Sequence, residues 1–177
     1  RAHARTAPAT SDGAMSGALR DRLAVAGFNV VQTPVDTAVA DAYLEVAGTL
    51  LVPSDGRTAT MVAAACARSD VVVFDLALDI RSWTRLAIAV ADSCSAAGAA
   101  AAIGALQAAG IAVTRVDDVA GLIVLRTVAM LANEAADAVT QGIAAPADVD
   151  LAMRKGVNYP RGPLEWADAI GLKRVRA

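Results

Sequence analysis

Up to about residue 115, helical spacing of apolar residues alternates with short apolar runs. In the first such unit, Leu19, Leu23 and Val25 stand between charged residues, and Gly27 separates them from an apolar run. This spacing predicts a helix, a terminating glycine and a strand. The recurring pattern predicts helices at 16–26, 37–47, 58–68 and 96–109, and strands at 28–31, 49–52, 71–74, 84–90 and 111–115. Such alternation favours βαβ units with a parallel sheet, and therefore an α/β fold class.

From about residue 117 the pattern indicates helices alone. Residues 122–139 are apolar on nearly every side of a helix. The exceptions form a stripe of Arg126, Asn133, Asp137 and Gln141. A helix that is apolar all round is typical of a buried position, so a long central helix is predicted. Pro146 and Pro163 mark the starts of two shorter helices, 146–154 and 163–170. We therefore expect a loose lead-in at 1–13, an α/β half at 14–116 and a helical domain at 117–177.

Composition limits the classes of partner. Lys and Arg number 16 against 18 Asp and Glu, which gives a formal net charge of −2, and like charges form no long run. Neither a nucleic acid nor a membrane surface is therefore an expected partner. The charge-free stretch 93–114 is mostly alanine with three glycines, a composition that disfavours membrane insertion.

The two cysteines and the first residues bear on the compartment. Cys66 and Cys94 lie in alanine-rich surroundings, without the spacing of metal ligands, and are interpreted as buried thiols of a cytoplasmic protein. The first residue is arginine and no basic-then-apolar segment follows it, so secretion is not expected.

Several short motifs in the helical part occur together in one order. They are Ala-Gly-Leu-Ile-Val-Leu-Arg at 120–126, Asn-Glu-Ala at 133–135, Asp-Val-Asp with Ala-Met at 148–153, Asn-Tyr-Pro-Arg-Gly-Pro at 158–163 and Ile-Gly-Leu at 170–172. This order resembles the C-terminal domain of bacterial NAD-dependent 3-hydroxyacyl-CoA dehydrogenases, a helical domain like the C-terminal domain of 6-phosphogluconate dehydrogenase. The preceding residues resemble a reduced form of the family's Rossmann-like domain. The chain is therefore similar to a degenerate second copy, of the phenylacetate and fatty-acid degradation type, that follows a working one.

The resemblance implies a catalytic set that this chain lacks. The family uses a histidine held by a glutamate, helped by a serine and an asparagine. The only histidine here is His3, and the strand that carries the family's histidine reads Val-Phe-Asp-Leu-Ala at 73–77. Ile88 stands nearest to the glutamate position and Leu125 at the asparagine position. Thr58 is the only hydroxyl that matches, so no catalytic residue is assigned.

Cofactor and metal sites are not expected in this chain. Gly13 and Gly17 precede a helix, but the sequence before them predicts no strand, so they do not form a dinucleotide loop. NAD is implied for the parent enzyme only. Asp75 and Asp79 are interpreted as solvated loop charges and not as metal ligands.

The substrate-binding candidates are Arg126, Asn133 and Asn158. Arg126 fits either a phosphate of coenzyme A or an ion pair with Asp117 or Asp118. Asn133 and Glu134 fit either acyl-CoA or, as the favoured alternative, hydrogen bonds to the loop that holds Asn158 and Tyr159. Trp83 and Trp166 are interpreted as core or interface anchors.

Function follows from the resemblance. The parent reaction is NAD-linked oxidation of a 3-hydroxyacyl-CoA to the 3-oxoacyl-CoA, and this segment is expected to be structural and dimerising. Its expected partner is a second copy or the catalytic copy of the same enzyme, with acyl-CoA as a further candidate. The alternatives are a non-catalytic acyl-CoA-binding module and a self-sufficient oxidoreductase with an unrecognised site.

Overall fold

The computed structural model describes residues 3–6, 14–32, 43–77 and 83–171. Two compact units divide the chain, Arg1–Leu122 and Ile123–Ala177. The first unit combines a sheet with helices and the second is helical. The predicted order of an α/β part followed by a helical part is therefore confirmed.

Within the described residues, seven strands form one mixed sheet in the order β2-β1-β3-β4-β5-β6-β7. They are β1 (His3–Thr6), β2 (Asn29–Gln32), β3 (Leu44–Val46), β4 (Thr49–Pro53), β5 (Val71–Phe74), β6 (Arg85–Val90) and β7 (Ala112–Arg115). Three pairs are parallel, β1/β2, β4/β5 and β6/β7, and the other three are antiparallel. The expected parallel sheet is in fact mixed; between β3 and β4, for example, the turn at Ala47 and Gly48 reverses the chain.

Apolar residues on both faces of the central strands build two cores. The helices of this unit are α1 (Ala14–Val25), α2 (Ala59–Ala65) and α3 (Ala96–Ala108). Leu51, Val72 and Phe74 belong to one core with residues of α1 and α3, whereas Val52 and Val73 belong to the other with residues of α2. Burial of both faces explains why β4 and β5 are apolar runs without alternation.

Two predictions for the first fifty residues are wrong. The lead-in at 1–13 was expected to be loose, yet His3–Thr6 form β1, which lies between β2 and β3. The helix expected at 37–47 includes Leu44–Val46, which form β3 instead, and residues 33–42 lie outside the described residues. In both places strand pairing decides the backbone conformation, and local sequence does not reveal the pairing partner.

The helical unit consists of α4 (Val124–Thr140), α5 (Pro146–Gly156) and α6 (Pro163–Ile170). Leu125, Val128, Ala132 and Ala135 are the buried residues of α4, spaced as on one helix face. The opposite side exposes charged and polar residues and Met130. The expected helix, buried on all sides, is therefore an amphipathic one. Among the helices in the described ranges, none combines the length and apolarity that crossing a membrane requires.

Candidate functional site at the carboxyl ends of strands 4 and 5

The carboxyl ends of β4 and β5 bring two buried polar residues to one side of the sheet. Pro53 pairs with Phe74, so Ser54 and Asp75 follow as neighbours, and the Ser54 N–H donates to the Phe74 carbonyl at 2.8 Å. Asp75 is only 1% exposed, and its carboxylate accepts the Leu76 N–H at 2.7 Å. The interpretation of Asp75 as a solvated loop charge is wrong, because the sheet continues through its N–H, which donates to Ala87. Asp79 lies outside the described residues.

Ser54 opens the loop that connects β4 to α2. Its hydroxyl is buried and, among the residues that the structure describes, has no hydrogen-bond partner. Asp55 and Arg57 form an ion pair at 2.7 Å across Gly56, which has a φ of +104°. The hydrogen bond from Arg57 to Asp55 raises the pKa of the guanidinium above its ordinary value. The two charged side chains of this loop therefore pair with each other.

Thr58, the hydroxyl compared with the family's serine, stands directly before α2. Its Oγ1 accepts the Met61 N–H at 3.1 Å, which makes it the helix N-cap. The Asp118 carboxylate accepts the N–H groups of Ala59 and Thr60 at 2.6 and 2.9 Å. Sequence reasoning missed this role of Asp118, because 59 residues separate it from Ala59.

The structure describes several of the residues that were compared with the family's catalytic set. Asp75 stands in the segment of the histidine, Ile88 is completely buried in β6, and Leu125 is buried on α4. His3 belongs to β1, where its backbone pairs with Asn29. Thr58 is engaged as a cap. Neither Ile88 nor Leu125 has a side-chain group that could accept a proton.

The structure describes one of the two glycines that were considered for a dinucleotide loop. Gly17 lies within α1, which follows β1 and precedes the parallel strand β2, so a strand does stand before this helix, contrary to the sequence prediction. Gly13 and the rest of 7–13 lie outside the described residues. In the other βαβ unit, the first N–H groups of α2 are taken by Thr58 and Asp118. The β4–α2 loop therefore does not fit the phosphates of NAD, which such a loop binds through free N–H groups.

The substrate-binding candidates all lie on the surface of the helical unit. Arg126 and Asn133 are exposed on α4, and Asn158 is exposed in the turn after α5 with a φ of +59°. The side chains of Asn133 and Glu134 form no hydrogen bond within the described ranges, so the favoured pairing with the Asn158–Tyr159 loop is wrong. It assumed burial, and both residues are exposed.

The family-like motifs at 148–163 build the corner between α5 and α6. The buried Asp150 accepts the N–H groups of Leu164 and Glu165 at 2.9 and 3.2 Å. Glu165 accepts the Gly162 N–H at 2.9 Å and pairs with Arg154. These two partners, the Gly162 N–H first, lower the pKa of Glu165. The motif is therefore explained by helix capping.

The two tryptophans and the two cysteines differ in burial: the tryptophans are buried, and the cysteines are half-buried. Trp83 and Trp166 are both 7% exposed, which confirms them as buried anchors, and the Trp166 ring lies 5.5 Å from that of Tyr159. Cys66 and Cys94 are free thiols. Burial, followed by the charge of Asp70, raises the pKa of Cys94, so this thiol is a poor nucleophile. The described part of the chain contains no group of residues arranged to hold a metal ion.

Comparison with known proteins assigns both parts of the chain. Residues 51–119 match the 3-hydroxybutyryl-CoA dehydrogenase reduced Rossmann-fold domain, and residues 121–177 match the 3-hydroxyacyl-CoA dehydrogenase C-terminal domain. The 3-hydroxyadipyl-CoA dehydrogenase of Escherichia coli is 38% identical over 135 residues, which are 76% of this chain and 27% of that protein. A probable 3-hydroxybutyryl-CoA dehydrogenase of Bacillus subtilis is 40% identical over 36% of this chain and 22% of that protein.

A solved structure agrees with these matches. The crystal structure of 3-hydroxybutyryl-CoA dehydrogenase from Escherichia coli K12 is 39% identical, with a TM-score of 0.68 over 75% of this chain and 27% of that one. The chain thus spans about a quarter of the length of the relatives that it matches.

Proposed function

Because the chain belongs to the 3-hydroxyacyl-CoA dehydrogenase family through two consecutive domains, we propose that it is a structural, non-catalytic C-terminal part of such an enzyme. The parent reaction is the oxidation of a 3-hydroxyacyl-CoA to the 3-oxoacyl-CoA, with NAD as the hydride acceptor. In this proposal a catalytic copy outside the chain performs the reaction, and this segment is a degenerate second copy.

The proposal is supported by the residues at the positions predicted for the catalytic set. Hydride transfer from a secondary alcohol requires a base within hydrogen-bond reach of the hydroxyl. Ile88 and Leu125 cannot accept a proton, and the hydroxyl of Thr58 already accepts a helix N–H. The only histidine lies in β1, in a segment other than the one that carries the family's histidine.

The structural role that we propose is association with a second copy of this chain or with the catalytic copy. The helical unit exposes several large apolar side chains, which are Ile123, Met130, Ile143, Leu151 and Val157. We propose that these exposed apolar side chains contribute to a contact with a protein partner. We also place the enzyme in the cytoplasm, since both cysteines are free thiols, as is usual in a reducing compartment.

The test is a calorimetric titration of the purified chain with NAD, NADH and acetoacetyl-CoA. A separate assay measures NADH oxidation. An active 3-hydroxybutyryl-CoA dehydrogenase serves as the positive control. We expect no turnover, because the chain lacks the base. Consumption of NADH by this chain would refute the non-catalytic role and favour a self-sufficient oxidoreductase.

The binding arm of the same experiment separates two non-catalytic roles. Saturable binding of acetoacetyl-CoA without turnover would identify an acyl-CoA-binding module, with Arg126, Asn133 and Asn158 as the first residues to substitute. Absence of binding would support the purely structural role. Sedimentation of the same sample then reports the oligomeric state, and a monomer at micromolar concentration would contradict association with a second copy.

A further inference from the structure

Helix α5 buries very little of its own surface. Of its described residues, Asp150 alone is buried, and this side chain caps α6. The outer side of the helix exposes Asp148, Leu151, Ala152 and Lys155. Steps of three, four and seven residues from the first of these place the four side chains in one stripe, on the side turned away from Asp150. We call these four residues the α5 stripe. No other described part of the chain covers it.

The α5 stripe has an apolar centre and charged ends. Leu151 is 47% exposed, and Ala152 lies next to it. Asp148 stands one turn before this centre and Lys155 one turn after it. The two charges are about 10.5 Å apart along the helix axis, which is too far for an ion pair between them. Both side chains are exposed and form no hydrogen bond or ion pair within the described residues, so both charges are available to a partner.

The helix dipole explains the signs of the two charges but not the rest of the surface. An aspartate in the first turn and a lysine in the last turn stabilise any helix. That effect requires no exposed leucine between them. It also does not account for Ile143 and Val157, which are exposed apolar residues just outside the two ends of α5. A contact with another protein would cover these apolar side chains as well as pair the charges.

The α5 stripe is complementary to itself when two copies of the helix run antiparallel. A two-fold axis between Leu151 and Ala152 places Asp148 of one copy opposite Lys155 of the other, at both ends of the contact. At the axis, Leu151 of each copy faces Ala152 of the other, and the small alanine side chain lets the helices approach closely. A parallel arrangement would instead set Asp148 against Asp148 and Lys155 against Lys155.

We propose that two copies of this chain associate through the α5 stripe, as an antiparallel pair of helices with two Asp148–Lys155 ion pairs around the apolar centre. The inference rests on the proposed function and specifies the surface and the register of the association with a second copy. The antiparallel arrangement also brings the end of α5 near Ile143 beside the end near Val157 of the other copy. These exposed apolar residues then lie at the margins of the same contact.

The test reverses the charges in the full chain and measures association by sedimentation equilibrium. Lys155→Asp leaves Asp148 of each copy opposite an aspartate, and Asp148→Lys leaves Lys155 opposite a lysine. In either variant we expect the dissociation constant of the dimer to rise about tenfold or more, because like charges then meet twice in the contact. Asp168→Lys is the matched control, since Asp168 is an exposed aspartate of α6 outside the stripe, and it should leave the constant unchanged.

An equal mixture of Lys155→Asp and Asp148→Lys is the decisive sample. In the mixed dimer, a chain with two aspartates in the stripe faces a chain with two lysines, so both ion pairs are restored. We expect this dimer to form with about the dissociation constant of the wild type. A helix that is weakened by its reversed charges would stay weakened in the mixture. Recovery therefore separates the contact between copies from the helix dipole.

Three outcomes would overturn the inference. They are a wild-type chain that is monomeric at micromolar concentration, equal dissociation constants for the two reversal variants and Asp168→Lys, and a mixture that fails to re-form the dimer. In the last case the reversals would have removed something other than the ion pairs. Consumption of NADH refutes the non-catalytic role whatever the state of association, so the two failures are distinguishable.

Discussion

Position 162 needs a glycine because the Asp150 side chain lies against it, and not because of its backbone conformation. Its φ of −72° suits any residue, but a Cβ at this position would overlap the carboxyl group of Asp150. Gly162→Ala must therefore displace the carboxylate that caps α6. We expect a loss of about 1–3 kcal/mol in the free energy of unfolding, the usual cost of overpacking a buried contact, measured by urea denaturation.

Gly156→Ala is the control for this substitution. Gly156 is the last residue of α5, and a Cβ there would meet nothing within 4 Å. Alanine is the better helix former, so this variant should be unchanged or more stable by up to about 1 kcal/mol. Equal destabilisation of the two variants would mean that the Asp150 contact does not require glycine.

Glu165 makes the stability of the same corner depend on pH. Its pKa in the folded protein is lowered, first by the Gly162 N–H and then by Arg154. A lowered folded-state pKa adds stability above the unfolded value of 4.5, and this stability is lost as the pH falls through the lower folded value. Glu165→Gln should therefore be less stable than wild type at pH 7, with a difference that shrinks below pH 4.5.

Denaturant midpoints at pH 7 and pH 3 measure this effect. Glu134→Gln is the control, since Glu134 is exposed on α4 and its side chain forms no hydrogen bond within the described part of the chain. Its midpoint should follow that of wild type at both pH values. A pH-independent difference for Glu165→Gln would assign the role of Glu165 to packing instead of charge.

At the residue scale, sequence shows the chemistry of a side chain more readily than its contacts. That Ile88 and Leu125 carry no proton-accepting group follows from their identity alone. The cap at Asp118 does not, because 59 residues separate this carboxylate from Ala59 and only the fold brings them together. Asp75 was misjudged for the same reason: whether a carboxylate after a strand is buried depends on what the strand pairs with.

At the scale of elements, Arg22 connects α1 to the end of α3. Its guanidinium donates to the carbonyls of Ala109, Trp83 and Gly110 at 2.9, 2.7 and 3.2 Å, and it lies 5.6 Å from the centre of the Trp83 ring. Two of these carbonyls belong to the end of α3, where a cation is favourable. Arg22→Met should lower the free energy of unfolding by about 1–3 kcal/mol, measured by thermal or urea unfolding.

Two further substitutions, Arg22→Lys and Arg20→Met, test what the Arg22 guanidinium contributes. Arg22→Lys keeps the charge but not the planar fork that reaches three carbonyls, so it should recover only part of the loss. Arg20→Met is the control, because Arg20 pairs with the exposed Asp21 and such surface pairs contribute about 0–1 kcal/mol. Identical stabilities of the Arg20 and Arg22 variants would contradict a special role of Arg22.

Elements with their own sequence signal were predicted, and those defined by pairing were not. The runs that form β4 and β5 are apolar throughout, and Pro146 and Pro163 stand at the first residue of α5 and α6. In contrast, His-Ala-Arg-Thr of β1 is polar and Leu-Glu-Val of β3 suits a helix equally well. The local sequence also did not predict whether a strand pairs in parallel or antiparallel, since both kinds of pair use the same residue types.

At the scale of the whole molecule, the order of motifs predicted the family and the two-part organisation. The motifs from 148 to 163 supply hydrogen bonds that cap α6 and connect it to α5. The stripe of Arg126, Asn133 and Asp137 already indicated one polar side of α4, so the error was to expect burial on all the other sides. Side chains such as Met130 on that exposed side are therefore available to a partner.

Met130 offers a test of association between copies of the chain. It is 60% exposed near the middle of α4. If this face packs on a second copy, Met130→Glu places an unpaired charge in the contact, and the dissociation constant should rise at least about tenfold in sedimentation equilibrium. Val25→Glu is the control, because Val25 is 91% exposed at the end of α1 and receives the same change. If the dissociation constant is the same for Met130→Glu and Val25→Glu, the interface lies elsewhere. A charge buried in an apolar contact must weaken the dimer.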